Sequence, residues 1–128
     1  MIIDEVADRF FAAIESGDTD ALLALYAPDA VIWHNEDRTE QTVEQNLRVL
    51  RWLTRTVADL EYRDVRRIVH DDGFVQQHLL TGTLPDGEAL AIPAGLFVDV
   101  ADGHIVRIDE YVDSAHLEPL LTTRRTNS

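Results

Sequence analysis

Apolar residues recur every three or four positions at the start of the chain. Ile3, Val6, Ala7, Phe10 and Ile14 fall on one side of a helix, with acidic residues on the other, and Gly17 predicts its C-terminal cap. Asp18 predicts the cap of a second, short helix carrying Leu22, Leu25 and Tyr26, which Pro28 stops. The run Ala30-Val31-Ile32-Trp33 predicts a buried strand that leads directly into His34 and Asn35. Thr42 and Gln45 have the spacing of a capping box, opening a third helix with Val43, Leu47, Leu50 and Val57 on one face.

Beyond about residue 59 the helical period gives way to β-branched and aromatic residues. Asp72-Gly73, Asp86-Gly87 and Asp102-Gly103 punctuate this half. Asp-Gly favours type I′ hairpins, because both central residues need positive φ. Three such dipeptides between four apolar runs predict an antiparallel meander over 60–70, 74–84, 88–100 and 104–113. Strands this long must curl, and Pro93 and Gly95 mark the expected bend. Residues 114–121 read as a last short helix and 122–128 as a frayed tail. The prediction is an α+β fold: three N-terminal helices packed on a strongly curved, mostly antiparallel sheet, forming a cone. The mouth of such a cone is a natural pocket.

Composition narrows the chemistry. The 128 residues fit a single domain spanning 1–128, and a 45% hydrophobic content supports a real core. No apolar run approaches the roughly 20 residues of a membrane span, and the acidic, amphipathic N-terminus does not read as a signal peptide. A cytoplasmic protein is expected. There are 24 acidic and 11 basic residues, and the formal charge of −13 repels phosphate backbones and anionic lipid. Nucleic acid and membranes are therefore not expected partners. Every basic residue is Arg, so lysine Schiff bases are excluded, and the lack of Cys excludes disulfides and thiolate chemistry.

The stretches VADRFFAAIESGDTDALLALYAPDAVIWHN and GHIVRIDEYVDSAHLEPLL resemble the NTF2-like superfamily, in its SnoaL-like and ketosteroid-isomerase-like branch. The resemblance covers most of the chain and implies a homodimer built through the outer sheet face. It places Phe10 where steroid isomerases carry a tyrosine, His34 at their aspartate base, and Ala94 or Gly95 at their second oxyanion donor. Against the limonene-epoxide-hydrolase pattern, Trp33-His34-Asn35 lies over the water-binding motif, His78 and Leu80 over the arginine and acid, and Glu110 over the base.

The resemblance directs His34, His78 and Glu110 into one cavity as candidate catalytic residues. Histidine titrates near neutrality, so His34 suits a base, His78 an acid or oxyanion donor, and Glu110 an orienting group. Phe10, Ile14, Trp33, Asn35, Leu53, Gln76, Leu80, Phe97 and Ile108 are the expected substrate-binding residues. No H-x-x-x-H spacing or tight ligand cluster occurs, and neither a metal nor a cofactor is expected. The leading function is a cofactor-free isomerase, cyclase, dehydratase or epoxide-hydrolase-like enzyme. It would act on a small apolar polyketide, terpenoid or steroid-like compound. The alternatives are a non-catalytic binder of such a ligand and a dimeric interaction module.

Overall fold

The computed structural model describes residues 1–127, with side chains through Arg124. The elements run α1 (Ile3–Ser16), α2 (Thr19–Leu25), β1 (Tyr26–His34), β2 (Thr39–Thr42), α3 (Val43–Thr56), β3 (Ala58–His70), β4 (Gly73–Thr83), β5 (Ala89–Ala101), β6 (His104–Val112) and α4 (Ser114–Asn127). Their ends follow the sequence signals. Gly17 caps α1 with φ 71°, and Asp18 caps α2 by accepting from the Ala21 amide. Both hydrogen bonds of the capping box form at α3: Thr42 N–H donates to Gln45 Oε1, and Gln45 N–H donates to Thr42 Oγ1.

The six strands form one curved sheet in the order β2-β1-β6-β5-β4-β3. Among the described residues only β1 and β6 pair in parallel; the meander β3 to β6 is antiparallel throughout. The core lies between the inner face of this sheet and the helices. Val6, Leu22, Ile32, Phe74, Val98 and Ile105 are among its most buried side chains.

Curvature arises where the ladder slips. β3 shifts register against β4 twice, and Asp59 and Asp64, with φ of 55° and 54°, fall inside the two shifts. A third slip leaves Val106 unpaired in β6, which lets Ile105 and Ile108 both face inward. The expected bend at Pro93 and Gly95 is not where register breaks. β4 and β5 pair without interruption from Gly73–Asp99 to Thr83–Ala89. Pro93 lies just beyond the last β5–β6 pair, Ala94–Val112, where no bond toward β6 is lost.

All three Asp-Gly dipeptides mark hairpins, but by different means. Asp102 and Gly103 both take positive φ, as a type I′ turn requires. Pro85-Asp86-Gly87 forms a three-residue loop in which only Gly87 has positive φ, and Gly87 N–H donates to Leu84 O. At the first hairpin Asp71 and Asp72 make the turn and Gly73 opens β4, where a Cβ would collide with the Val98 carbonyl oxygen. Three elements differ from the pattern-based expectation. β1 opens at Tyr26, expected on the second helix, so Pro28 lies within a strand and does not stop a helix. The polar β2 carries no apolar alternation, and α4 runs past residue 121 to Asn127.

Candidate active site

Strand register assembles the site. Arg67, Gln76, Leu96, Glu110 and His34 are successive partners across β3, β4, β5, β6 and β1, so they form one row over the inner face. His78, two residues along β4 from Gln76, stands on the next row with Ala94 and Val112. His78 and Glu110 are two strands apart, roughly 10 Å by strand spacing, and the concave face turns both side chains toward the same space.

That space is a cavity of about 220 Å³. Phe10, Phe11 and Ile14 of α1 and Leu50 and Leu53 of α3 form one wall, and Ile32, Leu80, Ile92, Leu96 and Ile108 form the sheet wall. Leu117 and Leu120 of α4 close it, and the exposed Glu36, Asp37 and Arg124 lie on its rim. Tyr26, His34, Gln41, Asn46, Tyr62, His78 and Glu110 bring polar groups to the wall. A mostly apolar cavity with a few convergent polar groups is the usual form of a small-molecule site.

The two imidazoles differ in state. His34 Nε2 lies 3.2 Å from Glu110 Oε1. Burial alone would lower its pKa, but the hydrogen bond and charge of Glu110, helped by Asp37 and Glu36, outweigh burial and raise it. His78 is buried and has no ion-pair partner among the described residues, and burial lowers its pKa against the opposing pull of Glu110. The Tyr26 phenol is raised by burial and by Glu110, and it donates to Asn46 Oδ1 at 2.7 Å. Tyr62 is also held neutral, chiefly by burial.

The cavity brings together His34, His78, Glu110, Phe10, Ile14, Leu53, Leu80 and Ile108. Four other expected binding residues stand elsewhere. Trp33 and Phe97 alternate with inward-facing neighbours and therefore point out of the sheet, where both pack edge-on against Tyr111. Asn35 lies just past the end of β1 and accepts from the Val112 amide through Oδ1, tying the chain to β6. Gln76 faces inward but is buried behind the cavity wall, between Arg67 and His78.

Several site residues escaped the sequence reading. Tyr26 looked like packing at a helix end, yet it opens β1 and reaches the cavity. Asn46 interrupts the apolar face of α3, which is the one sequence signal that could have flagged it. Tyr62 lies two residues after the inward Leu60 and shares its face. Arg67 could be found only from its pairing with Gln76.

Comparison with known proteins follows the same architecture. The sequence pattern of the SnoaL-like domain matches residues 7–108. No curated protein matches the chain in sequence. Among solved structures, IdmH from Streptomyces antibioticus, a candidate polyketide cyclase, is 22% identical and superposes with a TM-score of 0.81 over 95% of this chain and 99% of its own. AclR from Streptomyces galilaeus, a candidate hydroxylase, is 15% identical, with a TM-score of 0.80 over 94% and 84%. A candidate isomerase from Bacillus subtilis is 13% identical, with a TM-score of 0.79 over 94% and 93%. At these identities the likeness concerns the fold, and the three names describe three different chemistries. Among the described residues no helix is long and apolar enough to cross a membrane.

Proposed function

The chain belongs to the SnoaL-like domain family of the NTF2-like superfamily, and we propose that it is a cofactor-free acid–base enzyme acting on a compact, mostly apolar carbonyl compound. One observation carries this reading: a single apolar cavity holds two histidines whose surroundings drive their protonation in opposite directions. Splitting the pKa values of neighbouring titratable groups is how one site supplies both a base and a donor.

In this reading His34 is the base. Glu110 occupies Nε2, which leaves Nδ1 for a substrate proton. His34 withdraws a proton from the carbon beside a carbonyl, and the C–H electron pair moves into the enolate. His78 donates a hydrogen bond to the oxygen that gains charge. The proton then returns to a different carbon, giving an isomer. Alternatively the enolate carbon attacks a second carbonyl of the same molecule, and His34 returns the proton to the new alkoxide, giving a ring. The volume of about 220 Å³ is below the roughly 300–1,000 Å³ of typical ligand pockets, which favours one or two rings over a four-ring steroid. The reading also includes a homodimer formed through the apolar outer face of the sheet, where Ile68, Phe97 and Tyr111 are exposed.

The test uses a panel of one- and two-ring ketones and β-diketones in deuterated water, with loss of the α-proton followed by NMR. Wild-type protein is expected to accelerate exchange for some members. His34→Gln is expected to lose roughly 10²–10⁴-fold of that rate with a smaller change in binding. Binding without exchange or product across the panel would instead assign the cavity to a carrier of small apolar ligands.

A further inference from the structure

A polar chain runs behind His78. Arg67 Nε donates to Gln76 Oε1 at 2.8 Å, and its Nη1 donates to Asp4 Oδ1 at 2.9 Å and Asp8 Oδ1 at 2.7 Å. Gln76 Nε2 lies 3.0 Å from His78 Nδ1. Gln76 is only 1% exposed. The guanidinium sits 5.8 Å from the Phe11 ring and 5.7 Å from the Phe74 ring. Asp4 and Asp8, one turn apart on α1, balance its charge at the surface.

The direction of every bond in this chain is dictated by what each group can offer. A guanidinium has donors and no acceptor, so the Gln76 amide must turn its oxygen toward Arg67. That places the amide NH₂ against His78, and an NH₂ can only donate. Nδ1 of His78 must therefore accept, which it can do only as a lone pair. A neutral imidazole with its lone pair on Nδ1 carries its proton on Nε2.

We propose that Arg67 and Gln76 are positioning residues that hold His78 as the neutral Nε2–H tautomer, a fixed hydrogen-bond donor to an acceptor oxygen of the bound molecule. The inference rests on the acid–base reading and narrows it. His78 is then neither the base nor a proton carrier but the group that polarises a carbonyl and holds the enolate oxygen. The substrate must present an oxygen acceptor to His78 and an acidic C–H to His34. Protonation of His78 would set Nδ1–H against the amide NH₂, donor against donor, and this adds to the effect of burial in keeping the ring neutral.

Protein labelled with ¹⁵N-histidine, at neutral pH, gives the tautomer directly from multiple-bond proton–nitrogen correlation, with the His78 signals assigned by their loss in His78→Gln. Wild-type His78 is expected to show a protonated, pyrrole-type Nε2 and a pyridine-type Nδ1. In Gln76→Glu the carboxylate accepts from Arg67 and His78 alike, so the pattern should reverse. In Arg67→Met the amide is free to turn, and both tautomers should appear. In the ketone assay Gln76→Glu should lower exchange by about 10²–10³-fold, the usual effect of losing one oxyanion donor, with less effect on binding. A wild-type Nδ1–H tautomer would overturn the proposal, as would an unchanged pattern in folded Gln76→Glu. Should Gln76→Glu fail to fold, the wild-type and Arg67→Met spectra decide. Absence of ketone exchange in a wild type that shows Nε2–H supports the relay and overturns the catalytic reading instead.

Discussion

At the scale of single residues, His34 and His78 share a cavity wall but link stability to pH with opposite signs. The folded-state pKa of His34 is raised, so its contribution is full below the ordinary imidazole value and fades as pH rises through the folded value. The folded-state pKa of His78 is depressed, so its contribution is full above the ordinary value and is lost as pH falls through the folded one. Urea unfolding between about pH 5 and 8 is expected to show this. His34→Gln should remove a loss of stability on the alkaline side, and His78→Gln one on the acid side. Identical pH profiles for both variants would contradict the assignment. The shared position of His34, His78 and Glu110 on the cavity wall was legible because family position and strand alternation agree on it. Trp33 and Phe97 were expected at inward strand positions, and strand pairing turns both outward. Alternation decides otherwise: a strand cannot turn both His34 and Trp33 inward. Gln76 was legible as inward, but its partner Arg67 lies across a hairpin and is visible only once the strands pair.

At the scale of elements, capping and turn chemistry located most boundaries. The Thr42–Gln45 box starts α3, and this helix carries Asn46, Leu50 and Leu53 to the cavity. Thr42→Ala is expected to cost about 1 kcal/mol, measured by chemical denaturation, and an unchanged midpoint would contradict the role of the cap. The Asp-Gly pairs placed the meander to within two residues at either end of each strand, although only Asp102-Gly103 adopts the type I′ geometry. β2 was not legible because its TEQT sequence has no apolar face; it is held by pairing Thr39 to Thr42 with His34 to Val31 of β1. The site of bending was not legible either. A positive φ at Asp59 or Asp64 leaves no mark in composition, whereas Pro93 does but sits in an unbroken ladder.

At the scale of the whole molecule, the cone has an acidic exterior and an apolar outer sheet face. Ile68, Val75, Phe97 and Trp33 lie on one row of that face, with Asp109 between the last two. Ile68 is 71% exposed and Phe97 53%, and this row lies on the face that the proposed homodimer would cover. Phe97→Asp is expected to convert a dimer to a monomer in sedimentation velocity while leaving the cavity intact; a monomeric wild type would contradict the proposed dimer. Above all, one apolar cavity shifts the pKa values of its two histidines in opposite directions. The most direct measurement is a pH titration of His34 and His78 in a single ¹⁵N-histidine sample, with each assigned by its Gln variant. The midpoint of His34 is expected above the ordinary value near 6.5 and that of His78 below it. Coincident midpoints, or the reverse order, would contradict this expectation.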